Sequence, residues 1–342
     1  MSLVTRPEPP PAGHLWLVDY AGHPFTAELA AELARRDQPL TYSYCSSNAT
    51  PHADFDQLAT TGVRVEPVDL GRQFSKHHPV RRALDEIEYG ARTAWKIARA
   101  SAPGDKLVAC QVPVLSALIL LALARVKRLD YTLWLQDIQA NLASLSSPSA
   151  VASSLARLER LLMRRSPRVV AISDSFAAQV RASGHTGPVV ALPNWAPLSQ
   201  ITPGPRVNEW SERQGIRRDT FRVVYSGTMG SKHRGPDVAA IARQLLASPE
   251  FEVIIVASGE GAEFLRDQAD LQASNRFHLL PLQPLADLSN VLATSDCLVV
   301  TLDESATEAC VPSKILSYLC AARPILCLMH PANPSAALVD SV

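Results

Sequence analysis

The sequence predicts an α/β protein made of two doubly wound domains. Three observations carry this reading. At roughly 150 residues per domain, a chain of 342 residues is two domains long. Short Val- and Leu-rich runs alternate with helical patterns, and these runs are continuous rather than alternating, as in strands buried on both faces. The alternation pauses once, over Pro193–Arg218, where four prolines and several polar residues show no sustained period.

Taken in order, the strands before the pause are Leu15–Asp19, Leu40–Cys45, Val63–Pro67, Leu107–Cys110, Tyr131–Leu135, Arg168–Ile172 and Val189–Leu192. Helical patterns fall between them, over Phe25–Arg36, Val80–Ala100, Val114–Val126, Val151–Arg165 and Asp174–Ser183. Such alternation requires a parallel sheet with right-handed crossovers. After the pause the strands are Arg222–Ser226, Glu252–Ala257, Phe277–Leu280, Cys297–Leu302 and Pro324–Leu328. The helices are Pro236–Leu246, Glu260–Gln272, Leu285–Ala293 and Pro312–Ala321. Pro236 and Pro312 stand where a first helical residue belongs, and Asp237 suits the positive start of its helix. The expected organisation is a disordered Pro-rich leader over 1–13, a Rossmann-like domain over 14–195, a linker over 196–220 and a second Rossmann-like domain over 221–342.

Composition narrows the function classes. The chain is 47% hydrophobic and 19% charged, so two cores can form and general disorder is excluded. Thirty-three basic residues balance thirty-three acidic ones, which gives no argument for nucleic acid. Residues 1–200 carry a net charge of +4 and residues 201–342 one of −4. Two domains with different partners fit this asymmetry, as does an ordinary solvated surface. The six cysteines form no CxxC pair and mostly sit in apolar runs, as buried thiols of a reducing compartment do. Met1–Gly13 lacks the apolar core of a signal peptide. Leu107–Ala124 is free of charge and long enough to raise the question of a membrane span, but Gln111, Pro113 and Ser116 divide it into strand, turn and buried helix.

In doubly wound sheets ligands bind beyond the carboxyl ends of the strands, so chemistry belongs in the loops that follow them. Tyr225–Gly235 follows a strand and opens a helix. Its glycines allow close backbone approach to an anion, and Lys232 and Arg234 can neutralise phosphate. The spacing is neither a Walker loop nor the dinucleotide fingerprint, and the loop reads equally as a glycine-rich turn with solvated charges. In Thr307–Lys314, the lysine falls in a helix's first turn, where the dipole disfavours a cation unless an anion is bound. Ser258-Gly259-Glu260-Gly261 is either the wall of a nucleoside pocket or a helix-entry turn. In the first half, Asp19–Pro24 holds His23, which can titrate near neutrality, and Gln136 and Asp137 end another strand. Arg72–Arg82, with Lys76, His77, His78 and Arg81, precedes an amphipathic helix that suits either anionic lipid or a sheet. There is no H-E-x-x-H motif, the nine histidines are scattered, and no G-x-S-x-G nucleophile elbow occurs.

Several stretches together resemble one family. Tyr225–His233 resembles the donor-phosphate loop of retaining GT-B glycosyltransferases of family 4, group 1, and Val311–Pro324 is similar to that family's donor-site helix. Asp19–Phe25, Trp134–Asp137 and Pro193–Pro197 resemble a WbuB-like branch, similar to L-fucosamine transferases of O-antigen and exopolysaccharide assembly. The likeness runs from about Leu15 to about Leu338. It implies a GT-B fold, an acceptor-side first domain and a nucleotide-sugar donor held chiefly by the second. It places Gly22, Gly227, Thr228, Gly230, Lys232, Ser313 and Lys314 at the donor phosphates. Gly259, Glu260, Leu282, Gln283 and Ser317 border the nucleoside in the same analogy. His23, Gln136, Asp137 and Lys232 serve the catalytic centre, with Gly22 and His23 opposite the donor and Gln136 and Asp137 toward the acceptor. The nucleotide sugar is a substrate, so neither a metal nor a cofactor is expected. The expected acceptor is a lipid-linked glycan, and the expected location is cytoplasmic, at the inner face of the plasma membrane, with peripheral contact through Arg72–Arg82.

The sequence departs from the family in three places. Ala309 and Ser317 stand where a pair of glutamates is usual, and Ala322 replaces a common glycine before Arg323-Pro324. Family members also usually continue beyond the position of Val342, so the second domain is expected to be short. These departures keep two rivals in view: a non-catalytic or degenerate binding relative, and a nucleotide-sugar epimerase, which the fold alone does not separate from a transferase.

Overall fold

A computed structural model describes residues 13–48, 53–72, 79–138, 149–196, 198, 201–304, 307 and 312–342. The expected leader over 1–13 lies outside these residues except for Gly13. The chain forms two compact units, Met1–Pro193 and Asn194–Val342.

The first unit runs β1 (Leu15–Asp19), α1 (Pro24–Arg35), β2 (Leu40–Cys45), α2 (Phe55–Ala59), β3 (Arg64–Val68), α3 (Pro79–Ala100), β4 (Lys106–Cys110), α4 (Val114–Lys127), β5 (Asp130–Leu135), α5 (Ser149–Arg165), β6 (Arg168–Ala171), α6 (Asp174–Ala182) and β7 (Val189–Ala191). Its strands form one parallel sheet in the order β3-β2-β1-β4-β5-β6-β7. β1 is buried at all five positions, which is why its sequence shows no polar alternation. The alanine face of α1, Ala27, Ala30 and Ala31, packs with Leu15, Leu17 and Tyr42. Further along, α3 and α4 touch closely: a Cβ on Gly90 would stand 2.8 Å from the Ser116 Cα. The charge-free stretch is β4, a turn and α4. Among the described residues no helix is long and apolar enough to cross a membrane.

The second unit contains α7 (Glu209–Arg213), β8 (Phe221–Thr228), a 3₁₀ turn (Ser231–His233), α8 (Gly235–Leu246), β9 (Phe251–Ser258), α9 (Glu260–Arg266), α10 (Ala269–Gln272), β10 (Phe277–Leu280), a second 3₁₀ turn (Leu285–Asp287), α11 (Leu288–Ala293), β11 (Cys297–Thr301), α12 (Lys314–Cys320), β12 (Ile325–Leu328) and α13 (Pro334–Asp340). The sheet order is β10-β9-β8-β11-β12, all parallel.

Several elements differ from the sequence expectation. The stretch expected to be a linker is part of the second unit's core. Ile201, Trp210 and Ile216 are buried there among Val224, Ile254, Leu292 and Leu298. Asn208 accepts from the Ser211 N–H to cap α7 and donates to the Asn290 carbonyl at 3.0 Å, tying the segment to α11. The single helix expected over Glu260–Gln272 breaks at Gln268, whose ψ of 89° is not helical. α12 begins at Lys314 rather than Pro312. Ala322 adopts a φ of 51°, a left-handed turn in which glycine avoids a Cβ clash worth about 1–2 kcal/mol. That is the position where the resembling family commonly has glycine.

The two central strands of this sheet part company. β8 pairs with β11 only at Val223 and Val224. Beyond them the Ser226 N–H donates to the Tyr318 hydroxyl at 2.9 Å, and that hydroxyl donates to the Ser226 carbonyl at 3.0 Å. Across the gap, the His233 ring Nδ1 lies 2.7 Å from the Thr301 carbonyl, and the Thr301 hydroxyl donates to the His233 carbonyl. Side chains thus satisfy backbone groups that a continued ladder would have paired. The opening falls where the strand order reverses, the place at which such sheets bind ligands.

Candidate functional site

In the first unit, the order also reverses between β1 and β4, and polar groups collect at the carboxyl ends of β1, β4 and β5. Asp19 ends β1 fully buried, at 0% exposure. Its carboxylate accepts from the backbone N–H groups of Ala21 (3.2 Å) and His23 (2.7 Å), from the Tyr42 hydroxyl (2.9 Å) and from the Thr26 hydroxyl. The His23 ring Nδ1 stands 2.9 Å from it. Gly22, at a φ of 69°, makes the tight turn that returns His23 to Asp19. Burial disfavours the Asp19 charge, but His23 and the hydroxyl and amide donors outweigh it and hold the carboxyl below its ordinary value. Burial would also lower the His23 pKa, yet the Asp19 charge and hydrogen bond, joined by the Asp137 charge, raise it above the ordinary histidine value. Asp137 accepts from the Gln111 amide at 3.1 Å, and Gln111 itself holds a left-handed φ of 46° after β4. Gln136 is buried near the Cys110 thiol.

In the second unit, the loop after β8 is shaped by glycine. Gly227 has a φ of 133°, and a Cβ there would meet Lys314 Cε at 3.4 Å. Lys314 donates to the Tyr225 hydroxyl and, at 3.3 Å, to the Thr228 carbonyl. Its ammonium also lies 4.1 Å from the Tyr225 ring centroid. A cation in the first turn of α12 is thereby stabilised by a carbonyl dipole and an aromatic face. Gly259, at a φ of 100°, lets the loop after β9 approach Met229 and Gly230; a Cβ there would stand 3.0 Å from the Met229 carbonyl. His233 is buried, and its pKa is pushed down to about 3 by burial, then by the Lys314 charge, with Lys232 adding to it. The imidazole is therefore neutral, and the positive charge of this site resides on lysine. Arg234 takes a left-handed φ of 37° and pairs with Asp237 at 2.7 Å.

Of the residues singled out in the sequence, the second sheet brings together Gly227, Thr228, Gly230, Lys232, Gly259 and Lys314 around one loop. Ser317 sits on α12, half-buried, one turn after Lys314, while Ser313 and Glu260 are exposed. Leu282 is half-buried. The Gln283 amide is committed elsewhere, accepting from the Trp210 indole at 3.0 Å and donating to the Pro281 carbonyl. Ala309 lies outside the described residues. The first sheet brings His23 and Asp137 into mutual electrostatic range. In the basic stretch, Arg72 is paired with Asp85 and Glu88 and Arg82 with Glu86, whereas Lys76, His77 and His78 lie outside the described residues. Sequence reasoning gave no role to Asp19, Thr26, Tyr42 or Gln111. The only available signal was an acid closing an otherwise apolar strand immediately before a Gly-His turn. Among the described residues no group of three or more His, Cys, Asp or Glu side chains could hold a metal.

Two doubly wound parallel sheets, each with a switch point where the strand order reverses, match the GT-B class of α/β protein. The model of the glycosyl transferase 4-like domain matches residues 22–195, just over half of the chain, and the chain belongs to that family. The solved structures with this fold include HepE of Anabaena in complex with UDP and glucose, 16% identical with a TM-score of 0.67 over 96% of this chain and 88% of that one. Sucrose-phosphate synthase of Thermosynechococcus elongatus is 14% identical with a TM-score of 0.71 over 96% and 88%. WaaG, a glycosyltransferase involved in lipopolysaccharide biosynthesis, is 14% identical with a TM-score of 0.64 over 96% and 84%. At these identities the likeness establishes the fold. No curated protein is significantly similar to the sequence.

Proposed function

We propose that the chain moves a sugar, with retention, from a nucleotide-sugar donor to a lipid-linked glycan in bacterial exopolysaccharide or O-antigen synthesis. The observation that carries this reading is the convergence of Gly227, Thr228 and Lys314, with Lys232 beside them, at the switch point of the second sheet of a glycosyltransferase-family chain. HepE, which shares the fold, holds UDP and glucose, and WaaG works in lipopolysaccharide biosynthesis. In this reading Lys232 and Lys314 offset the charge that develops on the departing diphosphate, a fixed electrostatic contribution that needs no reorganisation. Gly227, Thr228, Gly230 and Ser313 border the phosphates. Gly259, Glu260, Leu282 and Ser317 border the nucleoside, and Gln283 contributes backbone there while its side chain anchors Trp210. Gly22, His23, Gln136 and Asp137 serve the transferred sugar and the acceptor hydroxyl. The acceptor hydroxyl attacks the anomeric carbon from the face the diphosphate leaves and passes its proton to the departing phosphate, which gives retention without a protein nucleophile. The reaction as proposed uses no resident metal or cofactor. The enzyme works at the cytoplasmic face of the membrane, resting on it through Arg72–Arg82 and α3.

The test is thermal unfolding of the 342-residue chain with UDP, GDP, ADP and their sugars, followed by transfer assays with the nucleotide that binds. A ligand that binds only the native state raises its stability, by about 2.7 kcal/mol at a hundredfold excess over Kd. One nucleotide should give a saturable shift that Lys232→Ala abolishes, together with turnover. No shift in well-folded protein, or a shift and turnover untouched by Lys232→Ala, overturns the assignment. A putative UDP-N-acetylglucosamine 2-epimerase from Listeria monocytogenes shares the fold with a TM-score of 0.61, so conversion of the donor without an acceptor would favour an epimerase instead.

A further inference from the structure

We propose that Asp19 is a positioning residue, turning the His23 imidazole so that Nδ1 points into the protein and Nε2 points away as the ligand-contacting atom. The inference rests on the reading of His23 as a site residue and adds the group through which it is set. Asp19 is fully buried and has no route to a substrate. A buried carboxylate is costly unless fully hydrogen-bonded, and this one is surrounded by two backbone N–H groups, two hydroxyls and the His23 ring. The backbone amide of His23 donates to the same carboxylate as its ring, so the main chain and the side chain are fixed together. The ring is partly exposed, at 28%, and with Nδ1 turned to Asp19, Nε2 is the ring nitrogen left for a ligand.

A proton on Nδ1 is what a carboxylate partner demands, and it leaves Nε2 to act outward. The groups facing the ring are Asp19 from β1, with Thr26 and Tyr42 bonded to it, and Asp137 beyond β5. All the charge among them is negative and favours the imidazolium. Nε2–H is then a charged donor for a sugar or phosphate oxygen of the nucleotide-sugar, and function is lost as pH rises through the raised His23 pKa.

The experiment is nitrogen-15 NMR of the histidine-labelled full chain, with the His23 signal assigned by His23→Gln. Wild type should show a neutral tautomer protonated on Nδ1 and a titration above 6.5, the ordinary value. In Asp19→Asn that titration should fall by about one unit or more, and the pH limit of turnover should fall with it. Tyr42→Phe removes a competing donor from Asp19 and should move the His23 titration upward, which keeps the test open if Asp19→Asn does not fold. A wild-type His23 that titrates at or below 6.5, that carries its neutral proton on Nε2, or that is unmoved in both variants overturns the proposal. These spectra need no substrate. If they appear as expected while no nucleotide sugar is bound or turned over, it is the glycosyltransferase reading that fails.

Discussion

At Gly227 the backbone and the neighbouring lysine impose the same requirement. A φ of 133° excludes most side chains, and a methyl group there would come into contact with the Lys314 Cε at 3.4 Å. Gly227→Ala should therefore lose about 1–3 kcal/mol of stability and also the nucleotide-dependent thermal shift, both read from one set of melting curves. His233 makes a second residue-scale prediction. Its pKa is depressed from 6.5 to about 3, so the folded state binds this proton more weakly than the unfolded chain does. The resulting stability is complete above 6.5 and is lost as pH falls from there toward 3. His23 has the opposite sign, since its raised pKa contributes stability below 6.5. Urea midpoints of wild type and His233→Gln between pH 7 and 5 should therefore differ in slope, with the variant less weakened by acid.

Among the elements, α3 combines a buried face with a solvent-facing apolar stripe. Val80 is 76% exposed, Leu84 58%, Ile87 45% and Trp95 61%, and their spacing places them along one side of the helix. Arg81, Arg92 and Arg99 flank them, and Arg99 stacks on Trp95 at 4.7 Å. Under the proposed membrane contact, this stripe is the surface that would meet anionic lipid. Sedimentation with phosphatidylglycerol vesicles should pull down the wild type and leave Leu84→Glu/Trp95→Glu in solution. Equal recovery of both would show that the membrane reading of α3 is wrong.

For the molecule as a whole, the boundary between the units is the informative feature. Trp210, at 0% exposure, and Ile201 and Ile216 complete the second core. A polypeptide starting at Asn194 should fold cooperatively, whereas one starting at Phe221 should show no unfolding transition, as circular dichroism would report. The sequence made the sheets legible because strands buried on both faces are written as nearly unbroken apolar runs, with Leu15–Asp19 and Cys297–Thr301 as clear cases. The 201–220 segment was illegible because prolines and polar residues there mask single buried anchors separated by irregular chain, and no periodicity connects Trp210 to α11. The glycine loop was visible as a motif. The Asp19 cluster was not, because Thr26 and Tyr42 reach it from separate elements, and their meeting is a property of sheet order rather than of spacing.

The parting of β8 from β11 leaves the Ser226 amide in an unusual position. It lies at the centre of a sheet, yet its protection from solvent deuterium depends on a phenol on α12 rather than on a neighbouring strand. Its exchange therefore records the seating of that helix, and with it the placement of Lys314. One backbone proton thus reports local unseating of α12 at the switch point, legible with no ligand present and independent of whatever chemistry the site performs.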